Sequence, residues 1–218
     1  MIKFKLKKAF SLAEVLLTMV IVGTISALTI PTLKNHSDEA KYVAATQKAM
    51  SQVAEATANI ELEQGDASLW NFNSSTTVNW YKKAMNTVPF PNGVNEWQRG
   101  NLGFSDVFDA GFDFMTADGM AWNITQGGYS CGGGAILVDV NGAQEPNIIG
   151  IDQHGFRLGH LCGGEGNKTK LGEFGIYAMG DNLNDTNGTW ACTSYIIKNK
   201  KMPWLYKPGA TCSEYKGK

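Results

Sequence analysis

Polar and apolar positions divide the first third of the chain sharply. Residues 1–9 are short and basic, and the stretch from Ala9 onward reads AFSLAEVLLTMVIVGTISALTI, with Glu14 its only charge. Residues 10–30 make 21 positions, roughly 31 Å as a helix, which is enough to cross the hydrocarbon layer of a bilayer. Beyond Pro31 the pattern becomes striped. Tyr42, Ala45, Ala49, Val53, Ala56 and Ile60 recur every three or four residues, predicting an amphipathic helix over 32–64 whose stripe packs on a sheet. The three alanines in that stripe allow a close approach. Lys41, Gln47, Lys48, Gln52 and Glu55 take the wetter side, and Gly65 is the expected stop.

Residues 65–103 lack a clean period and read as a connecting region, with one short helix over 78–85. From residue 104 onward, short apolar stretches alternate with Gly, Asn and Asp. They predict strands over 111–115, 120–125, 135–140, 155–158, 174–179 and 191–198, with Asp118-Gly119 as a turn. One long helix followed by an antiparallel sheet is an α+β fold. The expected organisation is a basic leader over 1–9, a transmembrane helix over 10–30 and an amphipathic continuation over 31–64. The connecting region over 65–103 then leads into a Gly-rich, disulfide-containing β domain over 104–218.

Charge adds a compartment to this picture. Formal net charge is −1, but Lys3, Lys5, Lys7 and Lys8 all fall in the leader, leaving fifteen basic against twenty acidic residues beyond it. A body of that sign has no general attraction for nucleic acid. The lysines precede the apolar run, so the positive-inside rule places them in the cytoplasm and the body across the membrane. Cysteine usage agrees. Cys131, Cys162, Cys192 and Cys212 are even in number, widely spaced and without a CxxC pair, as befits two disulfides in an oxidising compartment. Three pairings are open on sequence alone.

A carboxylate inside a spanning helix is costly unless it lies at the interface or is paired. The segment Lys7-Lys8-Ala9-Phe10-Ser11-Leu12-Ala13-Glu14 resembles the processing signature of type IV pilins and type II secretion pseudopilins. The resemblance covers roughly the first 31 residues. It implies cleavage between Ala9 and Phe10 by a prepilin peptidase, and N-methylation of Phe10 by the same enzyme. Glu14 becomes the fifth residue of the mature chain and pairs with the terminal amine of a neighbouring subunit. Pro31 falls at mature position 22, where pilins commonly carry a helix-kinking proline. Ala9 departs from the family's usual Gly before the cut. The resemblance also implies a pilin-like fold, and a disulfide-bounded C-terminal loop closed by Cys192–Cys212, which leaves Cys131–Cys162 as the second bridge.

Several constellations invite chemistry. Asp139, Asn141 and Asp152, around Gly142 and within Val138–Val140, Pro146-Asn147 and Gly150-Ile151, offer hard oxygen ligands for calcium. The plainer reading is a turn-rich hairpin. Asp181, Asn184, Asp185 and Asn187 form a second oxygen-rich loop. His154, His160 and Cys162 lack a fourth zinc ligand, and the histidines read better as exposed loop residues. Trp70, Trp80 and Trp97 offer a sugar-stacking surface, or simply pin a loop to the core. Lys198, Lys200, Lys201, Trp204, Tyr206 and Lys207 interleave cations and aromatics, giving a DNA-binding loop over 192–212 or a solvated loop tethered by its aromatics. No nucleophile elbow, HExxH or P-loop is present.

These residues predict a structural protein and no enzyme. The resemblance implies a pilin or pseudopilin subunit, a minor one given the large irregular domain, that starts in the bacterial inner membrane with its C-terminal domain periplasmic and ends in a filament. Its implied partners are the peptidase, other subunits, the inner-membrane assembly machinery and lipid. No cofactor other than calcium is called for. The alternative is a membrane-anchored periplasmic module that binds glycan or DNA, or an enzyme on the same anchor.

Overall fold

The computed structural model describes residues 10–72, 75–90, 112–125, 133–142, 144–160, 173–180, 191–207 and 214. The chain forms two compact units, Met1–Asp38 and Glu39–Lys218. Helix α1 (Leu12–Gln64) is continuous in backbone, with Pro31 inside it. Pro31 removes the N–H that would meet the Ala27 carbonyl, yet helical dihedrals persist on both sides. The expected boundary at residue 31 is therefore one of composition and not of secondary structure.

In the first unit the helix is apolar all round from Leu12 to Leu33. Every Val, Leu, Ile and Met from Leu12 to Leu33 is exposed, from 40% at Val15 to 80% at Leu12. None of its most apolar 18-residue window is buried in the protein. A helix that packed on a soluble core would bury one stripe and wet the other. This is the one helix among the described residues that is long and apolar enough to cross a membrane.

The second unit is α+β. After Gly65, whose φ of +81° ends the helix, come a 3₁₀ turn (Ala67–Leu69), α2 (Ser75–Ala84) and six strands. These are β1 (Thr87–Val88), β2 (Phe114–Thr116), β3 (Ala121–Thr125), β4 (Gly134–Asp139), β5 (Gln153–Gly159) and β6 (Gly175–Ala178). They pair antiparallel in chain order as a meander. Registers such as Trp122↔Val138↔His154 and Ile136↔Phe156↔Ala178 put those side chains on one face. The predicted stripe meets that face: Ala49, Val53, Ala56 and Ile60 join Trp122, Ile136, Val138 and Phe156 in one core. The opposite face is also shielded from water, since all of β4 and β5 is buried. Gly134 is required by this packing, because a Cβ there would lie 2.5 Å from the Phe72 ring.

Two expectations are corrected. Residues 191–198 form no strand but helix α3 (Ala191–Asn199). Its Thr, Tyr and Ile content favours strands, but Cys192 and Ile196, both essentially buried, stand one helical turn apart and the tertiary contact decides. The connecting region also contributes to the sheet, because β1 lies within it and pairs Thr87 with Thr116. Too short to show a period, β1 left no signal.

Candidate functional site

Two places gather the candidate side chains, one in each unit. The first is the start of α1. Glu14 Oε2 accepts from the Ser11 N–H at 2.8 Å and from Ser11 Oγ at 2.9 Å, and Ser11 Oγ accepts from the Glu14 N–H at 3.2 Å. This is a capping box, in which two side chains satisfy donors that the first helical turn leaves open. The S-x-x-E pattern was there to be read, and Ser11 is a site residue the sequence reading missed. Below it, Thr18, Thr24 and Thr29 donate their hydroxyls to the carbonyls of Val15, Ile21 and Ile25, each at 2.9 Å. Back-bonding of this kind leaves three hydroxyls without need of water along an otherwise apolar surface. Ala9 lies outside the described residues.

The second place is the turn between β4 and β5. Asp139 ends β4 and faces Gln153, the first residue of β5. Asp139 Oδ1 accepts from the Asn141 N–H at 3.2 Å, and Oδ2 from Gln153 Nε2 at 3.2 Å. Asp152 accepts the Asn147 and Ile148 N–H groups at 2.8 and 2.7 Å. Burial pushes the Asp139 carboxyl up to about 8, and the charge of Asp152 adds to this; hydrogen bonds from Gln153, Asn141 and Gly142 offset it only in part. Burial raises Asp152 as well, against the N–H groups that hold it. The structure thus brings all three sequence-predicted calcium candidates into one small turn. It adds Asn147 and Gln153, whose amide oxygens, like that of Asn141, are buried without a hydrogen-bond partner. Gly142, at φ +64°, closes against the Gly119 carbonyl, where a Cβ would come within 2.4 Å.

His154 is not an exposed loop residue: it lies in β5, fully buried, with Nε2 3.1 Å from the Ile151 carbonyl. Burial brings its pKa down to about 4. Alternation along β5 puts it on the face opposite Gln153. His160 meets Phe174 edge-on at 5.3 Å. No group of three His, Cys, Asp or Glu side chains placed to hold a metal occurs among the described residues.

Cys192 is buried and disulfide-bonded. Cys131, Cys162 and Cys212 lie outside the described residues, and with them the choice of pairing. Asp181, Asn184, Asp185, Asn187 and Trp97 lie outside as well. Trp70 donates to the Gly65 carbonyl at 3.0 Å and meets Trp80 edge-on at 5.6 Å, which fastens the segment after α1 to its own helix end. In the basic segment after α3, Trp204 is buried and donates to the Gly150 carbonyl at 2.9 Å. Tyr206 donates to Glu39, whose other oxygen accepts the Met202 N–H at 2.7 Å. Both aromatics tether the segment, and Lys200 and Lys201 stay exposed.

A polar cleft of about 430 Å³ completes the second unit. Lys48, Gln52, Asn59, Met85, Asn86 and Asp118 are among its lining. Asp118 accepts from Lys48 Nζ and Gln52 Nε2, both at 2.7 Å, and from Thr116 Oγ1 at 2.6 Å. Burial alone would raise its pKa, but these partners outweigh it and hold the carboxylate near 2. No family profile, curated protein or solved structure matches the chain.

Proposed function

We propose that the chain is a structural subunit of a type IV pilus or type II secretion filament, in the manner of a minor pilin or pseudopilin. In this reading the peptidase cuts between Ala9 and Phe10, and Phe10 carries the methylated amine. Residues 10–30 hold the subunit in the inner membrane, N-terminus cytoplasmic and sheet unit periplasmic, until the assembly machinery draws it into a fibre. One observation carries the reading: a stretch of α1, from Leu12 to Leu33, that is exposed and apolar on all sides and whose sole charge is a carboxylate four residues after Phe10. In lipid or in a helical bundle, a carboxylate and an amine are each costly alone and attract strongly when paired. That pairing sets a single register between neighbouring helices. The role assigned is assembly and not catalysis.

A second reading, a binding module on the same anchor, is favoured by the polar cleft beside Asp118, whose volume falls within the range of small-molecule sites. Mass spectrometry of membrane-extracted protein separates the two. The filament reading expects a mature chain beginning at N-methylated Phe10. A chain that retains Met1, or an unmethylated terminus elsewhere, overturns it and leaves a plain anchor.

A further inference from the structure

We propose that the turn joining β4 to β5 binds a divalent cation of the calcium type, with the carboxylates of Asp139 and Asp152 as charged ligands and the side-chain oxygens of Asn141, Asn147 and Gln153 completing the shell. The inference is independent of the filament reading and is made within the second unit alone.

Three observations converge. Asp139 and Asp152 are both fully buried and flank the same turn, where the Val140 N–H, next after Asp139, donates to the Asp152 carbonyl at 2.8 Å. Two buried carboxyl groups ionise together only when a counter-charge lies between them. Three neutral amide oxygens, those of Asn141, Asn147 and Gln153, are buried with no hydrogen-bond partner. Orphaned buried acceptors are uncommon in folded proteins and call for an explanation.

These oxygens also belong to the residues that already grip the two carboxylates. Gln153, with no exposed surface, places Nε2 on Asp139 Oδ2, so the terminal amide that carries the unpartnered oxygen lies against that carboxylate. Asn141 and Asn147 give their N–H groups to Asp139 and Asp152 respectively. Every ligand on offer is oxygen, and two carboxylates with three amide oxygens balance a doubly charged ion. Calcium takes six to eight oxygens in flexible geometry, whereas magnesium demands an octahedron and keeps its waters. Thiolate or imidazole metals find no ligand here, since His154 points to the other face of β5.

The site carries its own reporter. Trp204 donates to the Gly150 carbonyl within the same turn, so its indole can sensitise terbium bound beside it. The test uses the full chain in detergent after EDTA treatment. Terbium titration with tryptophan excitation should give saturable emission that calcium displaces and equal magnesium does not. Calcium at a hundredfold excess over its Kd should raise Tm by roughly 5–10 °C. Asp152→Asn should weaken terbium binding at least about tenfold, as loss of a charged ligand does. If that variant does not fold, Asn141→Ala, on the partly exposed edge of the turn, should weaken it by a smaller factor. Emission unchanged in these variants would be adventitious binding and would overturn the site, as would a Tm identical in calcium and in EDTA.

Discussion

Glu14 and Ser11 satisfy each other at the start of α1, so a carboxylate that looks unpaired in the sequence has a local partner in the single chain. Pairing with a neighbour's amine would then exchange one partner for another. The two roles separate by mutation. Glu14→Ala should insert into the membrane normally and lose incorporation into filaments by about tenfold or more, as expected for an unpaired terminal amine in low dielectric. Ser11→Ala removes the cap and keeps the charge, and should incorporate within about twofold of wild type, since one exposed cap is a small term in a long helix. Quantitative blots of membrane and sheared-filament fractions check both. Asp118 supports a second prediction. Its folded pKa is held below the ordinary carboxylate value, so the stability it contributes is complete above about pH 4 and is lost as pH falls toward 2. Lys48 is about half exposed, which limits the contribution to about 1 kcal/mol. Asp118→Asn should therefore flatten the loss of Tm between pH 5 and 2.5, and an unchanged acid limb would remove Asp118 from it.

The stripe of α1 is where sequence and packing agree most closely. Ala49 and Val53 have no exposed surface, and Ala56 and Ile60 are nearly as enclosed, because a 3.6-residue period carried from Tyr42 to Ile60 has one structural outcome when a sheet lies beneath it. Ala49→Leu should cost about 1–3 kcal/mol by overpacking. Ala58→Leu, on the exposed side, should be near neutral, and denaturant melts of both measure the difference. Five of the six strands were legible for the same reason, as apolar runs bounded by Gly, Asn and Asp. The misses have physical causes too. β1 has two residues, and α3 is composed of residues that favour strands until a contact one turn apart overrides them. Burial of His154 was hidden because its neighbours Gln153 and Gly155 gave no apolar alternation, although β4 and β5 are enclosed on both faces. Nothing in the spacing of Asn147 and Gln153 marks them as ligand candidates, and only their buried, unpartnered oxygens single them out.

At the scale of the whole molecule, the two units ask for different solvents. Glu39–Lys218 buries its apolar stripe, its sheet and a disulfide-bonded Cys192, and so has what a water-soluble domain needs. Met1–Asp38 leaves a run of Leu, Val, Ile and Met uncovered that a soluble protein would not leave in water. Residues 39–218, secreted into an oxidising compartment, should therefore be soluble without detergent, while the full chain partitions wholly into membranes. Ultracentrifugation of the two reads this directly. Reduction of the soluble piece should cost about 2–5 kcal/mol, the usual toll for losing a native disulfide in a small secreted domain, and should lower its Tm. Soluble, monomeric full-length protein would mean that another surface covers the helix, and the anchor would lose its physical basis. A fragment 39–218 that stays insoluble even when oxidised would mean that the sheet unit depends on residues before Glu39 for its core, against the packing of Ala49, Val53 and Ile60 on Trp122 and Phe156 within that unit.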